Sequence, residues 1–221
     1  MIDNRVRAIF EDSRGIFWVG TAGDGLHIMD QENGTFQRLR YDPNNPEKLS
    51  RPPVRENLAY VVDHITFINE DSQGCIWIGT FEGGINRYDP ATGTVEYFGT
   101  AAVGSNKINH NDFWACLKTK DNLLWVTTTW QPNTDNLSFY KISTISGKLN
   151  YSQTDVPILD FAEDSKGNMW FATPFGLLRK NKNNQYDNFL PEKDSANTAN
   201  IVTDIEIDAY DNLWLSTRGG L

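Results

Sequence analysis

Few residues in this 221-residue sequence have the type and spacing that catalysis needs. A serine hydrolase requires a Ser–His–acid set, and His27, His64 and His110 stand in unrelated positions without one. Neither these histidines nor Cys75 and Cys116 show the spacing of a metal site. The two cysteines read as separate structural thiols. No P-loop and no G-x-G-x-x-G is present, so no nucleotide cofactor is implied. Glycoside hydrolysis would require two convergent carboxylates. Asp160 and Asp204 occupy equivalent positions in their segments and could line a common channel, but nothing in the sequence marks them as a catalytic pair. The expectation is a protein without catalytic residues, metal or cofactor.

Binding chemistry is better represented. Aromatic rings stack on the apolar faces of sugars while carboxylate, amide and guanidinium groups fix the hydroxyls. Residues of these kinds cluster at equivalent loop positions: Asp24, Phe81 with Glu82, Trp130, Phe175 and Arg218. Trp114 joins them because it and Trp130 are the two tryptophans that stand outside the register described next. The competing reading is that these rings pack against neighbouring segments or an adjoining domain.

The elements that must position such residues are repeated. Trp18, Trp77, Trp125, Trp170 and Trp214 lie 59, 48, 45 and 44 residues apart. Three residues after each stands a threonine: Thr21, Thr80, Thr128, Thr173 and Thr217. Six residues before stand Asp12, Asp71, Thr119, Asp164 and Asp208, and three before stand Gly15, Gly74, Asn122, Gly167 and Asp211. Gly, Asn and Asp tolerate left-handed backbone, so each segment predicts a strand, a tight hairpin whose opening Asp caps turn amides, and a second strand. Third strands are predicted at Leu26–Met29, Ile85–Tyr88, Leu137–Ile142 and Leu177–Lys180. Fourth strands are predicted at Thr35–Leu39, Thr94–Phe98 and Lys148–Ser152. The first strands carry apolar residues three apart, which suits a strand buried on both faces or one with a bulge. A helical turn is conceivable only at Glu56–Asp63.

Four antiparallel strands in about 45 residues, repeated in tandem, predict an all-β β-propeller. The blades are expected at about 5–40, 64–99, 112–153 and 157–190, with an incomplete fifth at 201–221. One partial propeller would then occupy residues 1–221: four complete four-stranded blades and about half of a fifth. The unpaired edges of such an arc are a liability. A fragment of a larger ring is therefore expected, with missing blades, a downstream domain or a second copy as partner. Twenty basic against 29 acidic residues give a net charge of −9, which disfavours nucleic acid as partner. No apolar run is long enough to span a bilayer, and residues 1–5 form no signal peptide.

The segment Ile65–Tyr88, ITFINEDSQGCIWIGTFEGGINRY, resembles the two-component regulator propeller repeat. Its pattern is roughly I-x-x-I-x-E-D-x-x-G-x-I-W-I-G-T followed by G-G-L-x-R-Y-D. The first, second and fourth segments match well. The third departs at Thr119 and Asn122, and the fifth lacks the E-D-S-x-G turn. The resemblance implies a seven-bladed parent and a periplasmic setting, in the sensor region of bacterial hybrid histidine kinases that regulate glycan use. It implies a non-catalytic propeller that recognises a glycan-derived ligand such as an oligosaccharide. Two alternatives stand beside it: an interaction scaffold in an exported assembly, and a propeller lyase or glycosidase.

Overall fold

The computed structural model describes residues 5–39, 64–81, 83–100, 102–110, 112–128, 138–145, 148–153, 156–190, 192 and 198–220. The Glu56–Asp63 turn expected from sequence lies outside them. Among the described residues eighteen strands form five antiparallel sheets. The first holds β1 (Val6–Glu11), β2 (Phe17–Thr21), β3 (Leu26–Asp30) and β4 (Thr35–Leu39). The second holds β5 (Ile65–Glu70), β6 (Ile76–Thr80), β7 (Ile85–Asp89) and β8 (Thr94–Phe98). The third holds β9 (Phe113–Lys118), β10 (Leu123–Thr128), β11 (Ser138–Ser143) and β12 (Leu149–Gln153). The fourth holds β13 (Asp160–Glu163), β14 (Met169–Thr173), β15 (Gly176–Lys180) and β16 (Tyr186–Phe189). The fifth pairs β17 (Val202–Ile207) with β18 (Leu213–Thr217). The third and fourth strands of the irregular third blade sit one residue later than predicted.

Each hairpin between first and second strands turns on left-handed backbone at the expected column. Gly15, Gly74 and Gly167 have φ of 77°, 79° and 77°, and Asn122 and Asp211 have 61° and 62°. The aspartate six residues before Trp does two jobs. In Asp71, Oδ1 accepts the amides of Gln73 and Cys75, as a turn cap should, while Oδ2 accepts the indole Nε1–H of Trp77 at 2.9 Å. Asp12, Asp164 and Asp208 repeat both contacts with Trp18, Trp170 and Trp214 at 3.0, 3.1 and 3.2 Å. In the first, second and fourth blades the fixed Asp–Trp spacing therefore satisfies a buried indole donor as well as a turn.

A bulge, one of the two readings open for the first strands, is present in four first-strand pairings. Register slips between Val6 and Ala8, between Ile65 and Phe67, between the partners Val126 and Thr128, and between Val202 and Asp204. The fourth blade pairs regularly. Neighbouring first strands pack in order, β1 on β5, β5 on β9, β9 on β13 and β13 on β17. Four apolar clusters fill the four seams. Trp18 and Leu26 meet Ile65 and Ile78, Phe67 and Trp77 meet Phe113 and Leu124, Trp125 and Phe139 meet Phe161 and Phe171, and Trp170 and Leu177 meet Val202 and Ile205. Two of the small residues after Trp-x have no room for a side chain: a Cβ on Gly79 would fall 2.0 Å from the Phe67 ring of its own blade, and one on Gly20 would fall 2.5 Å from Ile65 of the next. Carboxylates latch the blades further, with Glu70 accepting both the amide and the hydroxyl of Ser13 at 2.8 and 2.7 Å. Glu163 likewise accepts the amide of Lys120 at 2.9 Å.

Candidate binding site at the channel mouth

The threonine column builds the rim on which several of the candidate residues stand. Thr80 Oγ1 donates to the carbonyl of Gly84 at 2.8 Å, and Thr21, Thr173 and Thr217 close their loops the same way on Gly25, Gly176 and Gly220. The residue after the threonine is then tied by its own amide to the residue before the first strand. Ala22 donates to Arg5, Phe81 to His64 and Arg218 to Ile201, at 2.9, 3.0 and 3.1 Å. The fourth blade has Pro174 here, which has no amide to donate, and it is also the blade without a bulge. Phe81 and Arg218 are thus held by backbone on both sides of the loop.

These rim positions surround a cavity of 340 Å³ lined by Phe81, Trp114, Ile158, Pro174, Ile201 and Arg218, with Thr128, Leu159 and Thr203 completing it. Its wall is mainly apolar and aromatic, with one guanidinium at the edge. Trp114 is 43% exposed, so a large face is offered to solvent. That combination has the chemistry to fit a ligand with one apolar face and an anionic or hydroxyl-rich edge.

Beneath the mouth lies an axial cavity of 670 Å³ lined by all five first strands, among them Arg7, Thr66, Cys116, Asp160 and Asp204, with His64 at its edge. Trp114, Leu159 and Thr203 line both spaces, so the mouth continues into the channel. Asp160 and Asp204 do share the channel, as their equivalent positions suggested. Burial, and then the neighbouring Asp204, push the Asp160 carboxyl up to about 8. Burial also pushes up the Cys116 thiol, which keeps it a neutral core group. Cys75 is buried and Cys116 half-buried, and neither is in a disulfide.

Of the residues singled out in the sequence, the structure brings Phe81, Trp114 and Arg218 together at the mouth. Glu82 and Trp130 lie outside the described residues. Phe175 is 62% exposed beside Pro174 and does not line the mouth. Asp24 is buried within its own blade, where it pairs with Arg38 at 2.6 Å and with His27 at 3.1 Å. Sequence reasoning missed Ile158, Leu159, Ile201 and Thr203. They precede or open the fourth and fifth first strands, and apolar residues there look like ordinary strand starts. No group of three or more potential metal ligands occurs among the described residues, and no helix there is long and apolar enough to cross a membrane.

Four-stranded sheets packed side by side, with their first strands around an axial cavity, make this protein a β-propeller. Comparison with solved structures agrees. The chain is similar to the extracellular domain assigned to hybrid two component system BT4673 of B. thetaiotaomicron, at 19% identity and a TM-score of 0.67 over 96% of this chain and 26% of that one. It is similar to PorZ, a surface component of the type-IX secretion system of Porphyromonas gingivalis, at 18% identity and 0.67, over 97% of this chain and 31% of that one. It is also similar to streptogramin B lyase, at 15% identity and 0.66, over 96% of this chain and 62% of that one. The chain thus spans about a quarter of the length of the two-component relative. No curated protein matches the sequence. Residues 1–23, 60–82 and 152–175 match the family model of the two component regulator propeller, and the chain carries repeats of that family.

Proposed function

We propose that this chain is a non-catalytic ligand-recognition segment of the sensor propeller of a two-component regulatory system, acting in the periplasm on a glycan-derived ligand. The observation that carries the reading is the mouth cavity, where Phe81, Trp114 and Arg218 from three blades converge on one space. The two component regulator propeller repeats support the sensor role, and the likeness to an extracellular two-component domain fits the location. Oligosaccharide would lie with its apolar face on Trp114 and Phe81 and its polar edge on Arg218. Binding would shift the balance of propeller arrangements and so bias a coupled output.

A test is calorimetric titration with neutral and uronic-acid-containing oligosaccharides, using the wild type, Trp114→Ala and Arg218→Ala. Saturable binding that both substitutions weaken supports the site. Binding that neither affects removes it. A second reading, an interaction scaffold in an exported assembly, draws on the equally close likeness to a secretion-system component. It predicts that no oligosaccharide binds and that a protein partner competes for the same rim.

A further inference from the structure

We propose that Asp160 and Asp204 form a proton-sharing clamp across the seam between the fourth and fifth blades, and that this clamp makes the shape of the channel mouth depend on pH. The geometry is specific. The backbone N–H of Ile205 on β17 donates at once to Oδ2 of Asp160, at 3.0 Å, and to Oδ1 of Asp204, at 3.1 Å. Two carboxyl groups from different blades therefore converge on a single donor. Asp160 is the more buried of the two and Asp204 the exposed one, and the amides of Ile205 and Phe161 do not offset the burial of Asp160, so Asp160 holds the proton and shares it in a carboxyl–carboxylate hydrogen bond with Asp204.

The groups that favour a charged Asp160 are the backbone amides of Ile205 and Phe161. β14, its partner strand, offers only the backbone of Ala172 opposite it and carries no ionisable side chain. β9 presents the neutral thiol of Cys116, with Lys118 exposed at the far end of that strand. β17 adds Asp204 itself and the exposed Glu206. Arg7 and His64 line the same cavity from the first and second blades. Burial and Asp204 together raise the Asp160 carboxyl into the neutral range, so the proton is lost under mildly alkaline conditions and two like charges then face each other across the seam.

The consequence for the mouth follows from chain connectivity. Leu159 immediately precedes Asp160 and Thr203 immediately precedes Asp204, and these two residues, with Trp114, are the ones that line both the channel and the mouth. Forcing the two aspartates apart moves the floor of the mouth. The effect on ligand affinity rests on the binding role proposed above, but the clamp itself does not.

The test needs no ligand, so its failure is separable from failure of the binding reading. The protein is labelled with 5-fluorotryptophan, the Trp114 resonance is assigned with Trp114→Phe, and its ¹⁹F shift is followed from about pH 5 to about pH 9. Side-chain carboxyl ¹³C shifts of Asp160 are followed in parallel. The expected result is a coincident step in both signals near pH 8, in line with Asp160. Asp160→Asn keeps an acceptor for the Ile205 amide and removes the Trp114 step. Asp204→Asn, an independent variant on the more exposed partner, moves the Asp160 midpoint toward acid by at least about one pH unit, a tenfold change in proton affinity. An Asp160 midpoint in the ordinary carboxylate range in the wild type would overturn the clamp, as would a Trp114 step unchanged in both variants.

Discussion

The indole Nε1 of Trp77 donates to Oδ2 of Asp71 at 2.9 Å, and the same carboxylate takes the Nε of Arg87 at 3.1 Å. In the third blade Thr119 replaces the aspartate, and the buried Nε1 of Trp125 has no acceptor among the described residues. Lys141, opposite Trp125 as Arg87 is opposite Trp77, lies over the indole ring at 4.0 Å. The contrast shows what the aspartate contributes and where the repeat lacks it.

Thr119→Asp should therefore stabilise the protein by about 1 kcal/mol, the usual net value of one restored hydrogen bond. Lys141 offsets the added charge beside Asp121. Asp71→Ala should cost about 3 kcal/mol, because it strands a buried indole donor, two turn amides and a guanidinium. Urea denaturation of the two variants checks both values. Equal stability of Thr119→Asp and wild type would mean that Trp125 finds an acceptor elsewhere.

Gly79→Ala should destabilise by about 1–3 kcal/mol through overpacking, since the new methyl would overlap the Phe67 ring at 2.0 Å. Adding Phe67→Leu, which removes the ring, should recover most of the loss. Thermal unfolding of the single and double variants measures the recovery.

Two opposed pH effects should appear in stability. Burial alone would raise the Asp12 and Asp164 carboxyls, but hydrogen bonds outweigh it: the Trp18 indole and Arg14 at Asp12, and Asn168 and the Trp170 indole at Asp164. Both are thus held below their ordinary 3.8. Their stabilisation is complete above that value and is lost as pH falls through their depressed values. Asp160 works in the other direction. Its carboxyl is raised from 3.8 to about 8, so its contribution is complete below about pH 4 and is lost as pH rises through about 8. Chemical denaturation across this range should show a maximum in the mildly acidic region. Asp160→Asn should flatten the alkaline limb and leave the acid limb unchanged.

Trp114→Ala should leave thermal stability close to wild type, since the side chain is 43% exposed and no seam cluster contains it. It should weaken oligosaccharide binding at least about tenfold, as truncation of an aromatic anchor commonly does. A loss of stability as large as the loss of binding would assign Trp114 to packing.

Much of this architecture is written locally. The Asp–Trp–Thr spacing is dictated by contacts within one hairpin: a turn cap, an indole donor and a loop carbonyl. Such short-range chemistry repeats visibly, so the blades and the left-handed column at Gly15 or Asn122 are legible from the residues alone. The rim positions of Phe81 and Arg218 are legible for the same reason, because each follows its threonine. The convergence of Asp160 and Asp204 on one amide is not legible. It depends on two blades packing first strand against first strand, and equivalent columns say only that both residues face the channel. Asp24 shows the converse limit. Its loop position suggested the rim, but Arg38 and His27 within the same blade draw it inward.

The central claim is that the mouth between Phe81, Trp114 and Arg218 is where this propeller recognises its ligand. A crystal structure of the protein soaked with an oligosaccharide that binds in solution tests it most directly. The account predicts a sugar ring stacked on Trp114 with a polar group at Arg218. Density for the sugar only on the outer strands or the opposite face, with the mouth empty, would contradict it.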